Sequence, residues 1–407
     1  MTPEAHDLRE VVEADIYLGD DRVAHLVRQV GDQISFDYVA EGPAVGALRD
    51  KSVSWSLLRS RDYPVVTTGG AVPAFFAGLL PEGVRLGVVT TSTKTSADDH
   101  LTLLLAIGAD TIGNVRVFPA GADPVQPAAM FDPEQDTDFR LVFEKLTGSV
   151  SADPVGLAGV QPKVSAGMVS APTQTRSGPA ILKLNPVEYP LLVENEHFFM
   201  TMAAACGLRT AATSLLHDAE GRSALLVTRF DRAGATRIAQ EDACQVAGVY
   251  PASKYRITTE AAITGLAEAC ARGGGSKVAA TAELLKTVVF SWLIGNGDLH
   301  GKNLSIYDLD GVWQPTPAYD LLCTQPYADW RDPMALNLFG RANRLFRANF
   351  VDAGERLGIR ARATTRMIDE LVDAAYDWPD RCGQIGFDDR QTDLLADMLR
   401  TRLGSLK

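Results

Sequence analysis

The sequence predicts an α+β chain of two lobes, the first mixed and the second helical. Three observations carry this. Runs of β-branched and aromatic residues between Gly, Asp and Pro turns fill residues 10–67 and recur at 180–184 and 224–232. From about residue 235 the pattern changes to Ala-rich helix formers at 259–270 and 277–286, separated by Gly273-Gly-Gly275. Between the apolar run 288–294 and the strand-like piece 304–307 lies a short polar stretch, Asn296-Gly-Asp-Leu-His-Gly-Lys-Asn303. Polar groups between buried elements are costly unless partnered, so that stretch needs a reason.

Composition bounds the class. A chain of 407 residues is long enough for two or three domains and a large core. The net charge of −12 gives no global basic field to draw it to nucleic acid. Cys206, Cys244, Cys270, Cys323 and Cys382 lie far apart with no CxxC pair. That argues against a zinc site or a disulfide framework and fits a reducing cytoplasm. The start, Met-Thr-Pro-Glu-Ala-His-Asp, is polar and acidic, unlike a signal peptide. No apolar run reaches the roughly 18 residues of a membrane span.

In chain order, residues 15–19, 22–27 and 33–38 read as strands, with Gly19-Asp-Asp21 as a hairpin signal. A buried helix is expected over 73–80 and another over 98–106, where Asp98 and Asp99 suit the start and His100 reads as a helix-start residue rather than a ligand. A strand at 111–118 closes this unit, and the Pro/Gly/Ala-rich 119–130 is a linker. The division is therefore 1–125 as a structural or docking module, 126–234 as the mixed lobe and 235–407 as the helical lobe.

Residues 140–146 suggest a short helix. The loop Gly156-Leu-Ala-Gly159-Val-Gln-Pro-Lys163-Val-Ser165 follows. Its glycines could let backbone N–H groups approach phosphates, yet it matches neither common phosphate-loop pattern and by composition alone is a flexible loop. After a polar turn at 173–179 comes the strand 180–184 with one charge, Lys183. That lysine either snorkels from an edge or meets a buried anion. The helix 192–203 offers Glu196 or Glu194 as its partner, and both acids also suit a helix N-terminus. The strand 224–232 ends in Arg229-Phe-Asp-Arg232, an exposed salt-bridged turn or a hinge; residues 240–248 read as the start of a helix. Residues 321–349, with Trp330, Asp332 and Arg341-Ala-Asn-Arg344, are long loops, and 352–407 are helices with solvated charges.

Asp298 and Asn303 stand five positions apart, the spacing at which protein-kinase catalytic loops place a base and a metal-holding Asn. Asn296-Gly-Asp298 also reads as a hairpin turn. Asp320, in Thr316-Pro-Ala-Tyr-Asp320, is a second acid suited to a metal.

These stretches, with Gln161-Pro-Lys163, Ile181-Leu-Lys183, Glu194-Asn-Glu196, Arg229-Phe-Asp-Arg232 and Gln240-Glu-Asp242, resemble the HipA-type toxin kinases of bacterial toxin–antitoxin systems, in family order over nearly the whole chain. The resemblance implies a protein-kinase-like two-lobed fold with a small N-terminal domain packed on it. It implies ATP and Mg²⁺ as cofactors. Gly156, Gly159, Gln161 and Lys163 would form the phosphate loop, and Lys183 would grip phosphates. The backbone of Thr228 to Phe230 would read adenine. Asp298 would be the base, Asn303 and Asp320 the metal ligands; His300 would support the loop and Lys302 would contact the transferred phosphate. It also implies a toxin that phosphorylates an aminoacyl-tRNA synthetase or another translation component in the cytoplasm, restrained by a helix-turn-helix antitoxin through which alone it meets DNA. The chain departs from the family at Gly156, where many members carry an inhibitory autophosphorylated serine; Ser149, Ser151 and Ser165 lie nearby. Two alternatives use the same features: a weak kinase fold acting as partner of a regulator, and a small-molecule kinase. The presence together of Lys183, Asp298, Asn303 and Asp320 favours an enzyme.

Overall fold

The computed structural model describes residues 7–39, 52–125, 138–147, 168–175 and 178–407. Its N-terminal unit is built on a five-stranded antiparallel sheet in the order Val65–Thr67, Gln33–Tyr38, Asp21–Gln29, Glu13–Leu18, Val115–Pro119. The expected hairpin turns at Gly19, whose φ of 62° a side chain would strain. Phe36 and Ile16 of the sheet pack with Phe76 of the helix Ala74–Leu79 and Leu101 and Leu104 of the helix His100–Ile107. This is a core separate from the rest of the chain. A third helix, Gly83–Thr93, was not expected: it has no fully buried residue and packs through Val84, Leu86 and Val89. Its weak apolar stripe explains why periodicity does not reveal it.

The mixed lobe holds a four-stranded antiparallel sheet, Val169–Thr175, Gly178–Leu184, Ser223–Thr228, Thr213–His217. The stretch expected as a polar turn at 173–179 is mostly ladder, with Thr173 opposite Ala180 and Thr175 opposite Gly178. The helix Leu192–Ala205 lies on this sheet, burying Val193 and Phe199 against Leu225.

In the helical lobe, the helices Thr259–Arg272, Lys277–Ile294, Arg347–Arg356, Ala361–Ala375 and Asp389–Leu406 surround Phe290, Leu293, Leu321 and Phe350. The run 288–294 is the end of the helix Lys277–Ile294, capped by Ser276 at one end and by left-handed Gly295 at the other. It therefore delivers the chain directly into the polar stretch. Residues 240–248 differ from expectation. Gln240–Asp242 is a strand paired with Ser305–Leu309, and only Ala243–Ala247 is helical, opened by a reciprocal cap between Asp242 and Gln245. Val312–Pro315 completes that small sheet. Gly275 lets it approach: a Cβ there would lie 2.1 Å from the Trp313 carbonyl oxygen.

All five cysteines are buried free thiols, and burial pushes each up to about 12. Among the described residues no helix is long and apolar enough to cross a membrane.

Candidate active site

A cavity of about 390 Å³ lies where the two lobes meet the N-terminal unit. Lys183, Glu196, Thr228, Phe230, Asn303 and Asp320 line it. Along the strand Gly178–Leu184, Leu182 and Leu184 enter the core beneath the sheet and Lys183 faces the cavity, as strand alternation requires. Its ammonium lies 2.7 and 3.0 Å from the two carboxylate oxygens of Glu196 and also bonds Asp320. Glu194 turns away and accepts from Asn185 Nδ2 at 2.9 Å. Lys183 therefore meets buried anions and does not snorkel. Burial alone would lower its pKa, but Asp320 and Glu196 outweigh burial and raise it. Glu196 is 1% exposed, and burial pushes it up to about 7 against the pull of Lys183. Asp320 is half-buried at the cavity wall; desolvation opposes its charge, yet Lys183 and Asn303 hold it below its ordinary range as a carboxylate.

The polar stretch is a loop between a helix and a strand, not a hairpin. It is braced from within and from behind. Asp298 N–H donates to Asn296 Oδ1 at 2.8 Å, His300 N–H to Asn303 Oδ1 at 3.1 Å, and Asn303 Nδ2 to Asp320 Oδ2 at 3.1 Å. Gly297 N–H donates to Thr324 Oγ1, and a Cβ at Gly297 would lie 1.9 Å from Asp332 Oδ2. Asp320 itself has a left-handed φ of 54°, a strained setting for a non-glycine residue that concentrates at functional sites. Asp298 is 4% exposed, and Tyr255 Oη donates to its Oδ1 at 2.7 Å. Burial, aided by Lys254 and Lys302, pushes His300 down to about 3, so its imidazole is neutral at pH 7.

The family model of the HipA-like C-terminal domain matches residues 155–378, and that of the HipA N-terminal domain matches 14–118. The chain belongs to the HipA family. Over 339 residues it is 30% identical to the serine/threonine-protein kinase toxin HipA of Shewanella oneidensis, covering 77% of each chain. To Y4mE of Sinorhizobium fredii it is 30% identical over 325 residues, 74% of this chain and 77% of that one. The solved complex of Shewanella oneidensis HipA with HipB and operator DNA superposes with a TM-score of 0.74 at 21% identity, covering 97% of both chains. The fold is thus the HipA fold, and relatives named as kinases surround this sequence.

In this HipA-family chain the N-terminal unit reaches the cavity wall. Lys302 Nζ donates to Glu82 Oε1 at 2.9 Å and to the Gly78 carbonyl at 3.1 Å, and Lys254 also pairs with Glu82. The ammonium expected on the transferred phosphate is therefore committed to the N-terminal unit. Although burial opposes it, Lys302 and Lys254 hold Glu82 down at about 2. Arg229-Phe-Asp-Arg232 is no exposed turn. Arg229 bonds Asp231 at 2.9 Å and Asp110 at 2.9 Å, Arg232 and Arg237 also bond Asp110, and Asp231 accepts from Gly113 N–H at 2.9 Å. These bonds bolt the end of the strand Ser223–Thr228 to the N-terminal unit.

At the expected hinge, Thr228 N–H and Arg229 N–H already donate to the carbonyls of Ala212 and Pro179, while Phe230 stacks near Tyr319 with ring centres 5.8 Å apart. Gly156, Gly159, Gln161 and Lys163, with Ser149, Ser151 and Ser165, lie outside the described residues. Sequence reasoning missed Tyr255 and Glu82. Neither belongs to a chemical motif, and both act through contacts distant in the chain.

Proposed function

We propose that this chain is an ATP-dependent kinase that phosphorylates serine or threonine hydroxyls of a protein, with Asp298 as base and Lys183 on the nucleotide phosphates. The observation that carries the reading is one connected constellation at the cavity. Lys183 lies between Glu196 and Asp320, Asn303 lies on that same Asp320, and Asp298 sits in the loop that presents Asn303. Asp320 and Asn303 fit Mg²⁺, since they offer hard oxygen donors at a carboxylate kept ionised. When bound, the metal supplies positive charge to the ATP phosphates. Phe230 would cover the adenine.

In the transfer step the acceptor hydroxyl oxygen forms a bond to the γ-phosphorus as the bond to the bridging oxygen of ADP breaks. Asp298 takes the hydroxyl proton. Lys183 offsets charge on the phosphates, and the neutral His300 ring, its Nδ1 without a hydrogen-bond partner among the described residues, packs on Tyr255. The intact set of Lys183, Asp298, Asn303 and Asp320 supports catalysis over scaffolding. The phosphate loop is assigned to Gly156, Gly159, Gln161 and Lys163, with functional units at 1–125, 126–234 and 235–407. Kinship to a HipA toxin, and the HipB–DNA complex of its structural relative, support a toxin in the cytoplasm restrained by a HipB-like, DNA-binding antitoxin. An aminoacyl-tRNA synthetase is the proposed target class.

Labelled ATP tests this directly. Wild type should transfer phosphate, and Asp298→Asn should lose about 10²–10⁴-fold in rate while binding ATP normally. By calorimetry, Lys183→Ala should weaken ATP and Asp320→Ala should weaken its metal dependence. Equal transfer by wild type and Asp298→Asn would refute the reading.

A further inference from the structure

Tyr255 lies between the short turn Pro251–Ser253 and the helix Thr259–Arg272, 43 residues before Asp298. Its hydroxyl donates to Asp298 Oδ1 at 2.7 Å, and its ring meets His300 edge-on at 5.2 Å. The next residue back secures it. The Lys254 carbonyl accepts from Gly301 N–H at 3.1 Å, while the Lys254 ammonium pairs with Glu82 and lies 5.3 Å from the Tyr255 ring centre. Gly301 packs closely on Cys244, with no room for a side chain: a Cβ there would lie 2.6 Å from Cys244 Sγ. Glu82 grips Lys302 as well. A continuous path of contacts thus runs from the N-terminal unit to the carboxylate of Asp298.

We propose that Tyr255 is a positioning residue for phosphoryl transfer: its hydroxyl fixes the orientation and the charge of the Asp298 carboxylate, and Glu82 holds Tyr255 in place through Lys254. This rests on the reading of Asp298 as base. Burial, with the nearby charge of Asp298, raises the phenol pKa, so Tyr255 stays a donor across the working pH range. The charged and titratable groups around the pair are Lys254 on its own segment, His300 and Lys302 on the loop, Asp320 and Asp332 on the segment that follows, and Glu82 from the N-terminal unit. A donor to the ionised form favours that form, so its loss makes the carboxylate easier to protonate.

The experiment measures ADP release from ATP by the full chain across pH, for wild type, Tyr255→Phe, Glu82→Gln and Asp298→Asn. Calorimetric ATP affinity is the check that each variant is folded. Tyr255→Phe should lower kcat about 10- to 100-fold, the value of one hydrogen bond to a charged group, with KM for ATP unchanged. The acidic limb of its pH–rate profile should move to higher pH, which loss of packing alone would not do. Glu82→Gln should move the same limb in the same direction by less. Wild-type rate and profile in Tyr255→Phe, beside an inactive Asp298→Asn, would overturn the inference alone. A fully active Asp298→Asn would remove the kinase reading and this inference with it.

Discussion

Glu241→Gln should remove a pH dependence from the stability of this chain. Glu241 is 3% exposed, in the strand Gln240–Asp242, and joins the lobes to the N-terminal unit. It accepts from Ser54 Oγ at 2.6 Å and from Trp55 N–H at 2.9 Å, and Arg272 attracts its charge without an ion pair to it. Burial therefore dominates and pushes the carboxyl from its ordinary 4.5 up to about 8. The native state keeps a proton that the unfolded chain releases, so stability is full below the unfolded value and falls as pH rises to about 8. At about 1.4 kcal/mol per pH unit, the loss between about pH 5.5 and about pH 7.5 is at most about 2.7 kcal/mol. Glutamine has the same shape, keeps an acceptor for Trp55 N–H and gives Ser54 Oγ a donor. The variant should gain on wild type by about 1–3 kcal/mol between about pH 5.5 and about pH 7.5. Urea denaturation of both proteins at both pH values measures this, and the difference between proteins cancels the titrating groups that do not interact with Glu241. A difference that does not change with pH would refute a buried, protonated Glu241.

Two further outcomes follow from the same contacts. Gly297→Ala should destabilise by about 1–3 kcal/mol and slow phosphate transfer, because the new methyl group meets Asp332 and Thr324; an unchanged thermal midpoint and rate would show that the loop can yield. Asp110→Asn should cost about 3 kcal/mol in urea denaturation, since Arg229, Arg232 and Arg237 lose a shared carboxylate, while Asp231 still pairs with Arg229 and Arg232; wild-type stability would mean that the junction contributes little.

The residues that gather around the cleft were legible because the segments that carry them are short and local. Asp298 and Asn303 sit in one loop, Lys183 is the lone charge of an apolar strand, and Asp320 ends a compact motif. What long-range packing decides was hidden. Whether Arg229 and Asp231 face solvent depends on Asp110 and Gly113, more than a hundred residues earlier. Nothing near Lys302 in sequence announces its partner Glu82. The last turns of the helix Lys277–Ile294 are buried on every side, which erases the helical period there. Gln240–Asp242 became a strand through its pairing with Ser305–Leu309, not through its own residues.

The sealed cysteines give the molecule a set of clocks. A thiol with a pKa near 12 is ionised in roughly one molecule in 10⁵ at neutral pH, so an alkylating reagent must wait for the structure to open. Each sulfur times a different opening. Cys244 sits behind Gly301 and would report the loop that carries Asp298. The backbone of Cys323 is held by Asn195 through two bonds of 2.9 Å, so that sulfur would report release of the segment after Asp320. No cysteine precedes residue 206, so the alkylation rates time the breathing of the part of the chain from 206 onward, and a ligand that closes the cleft should slow Cys244 and Cys323 first.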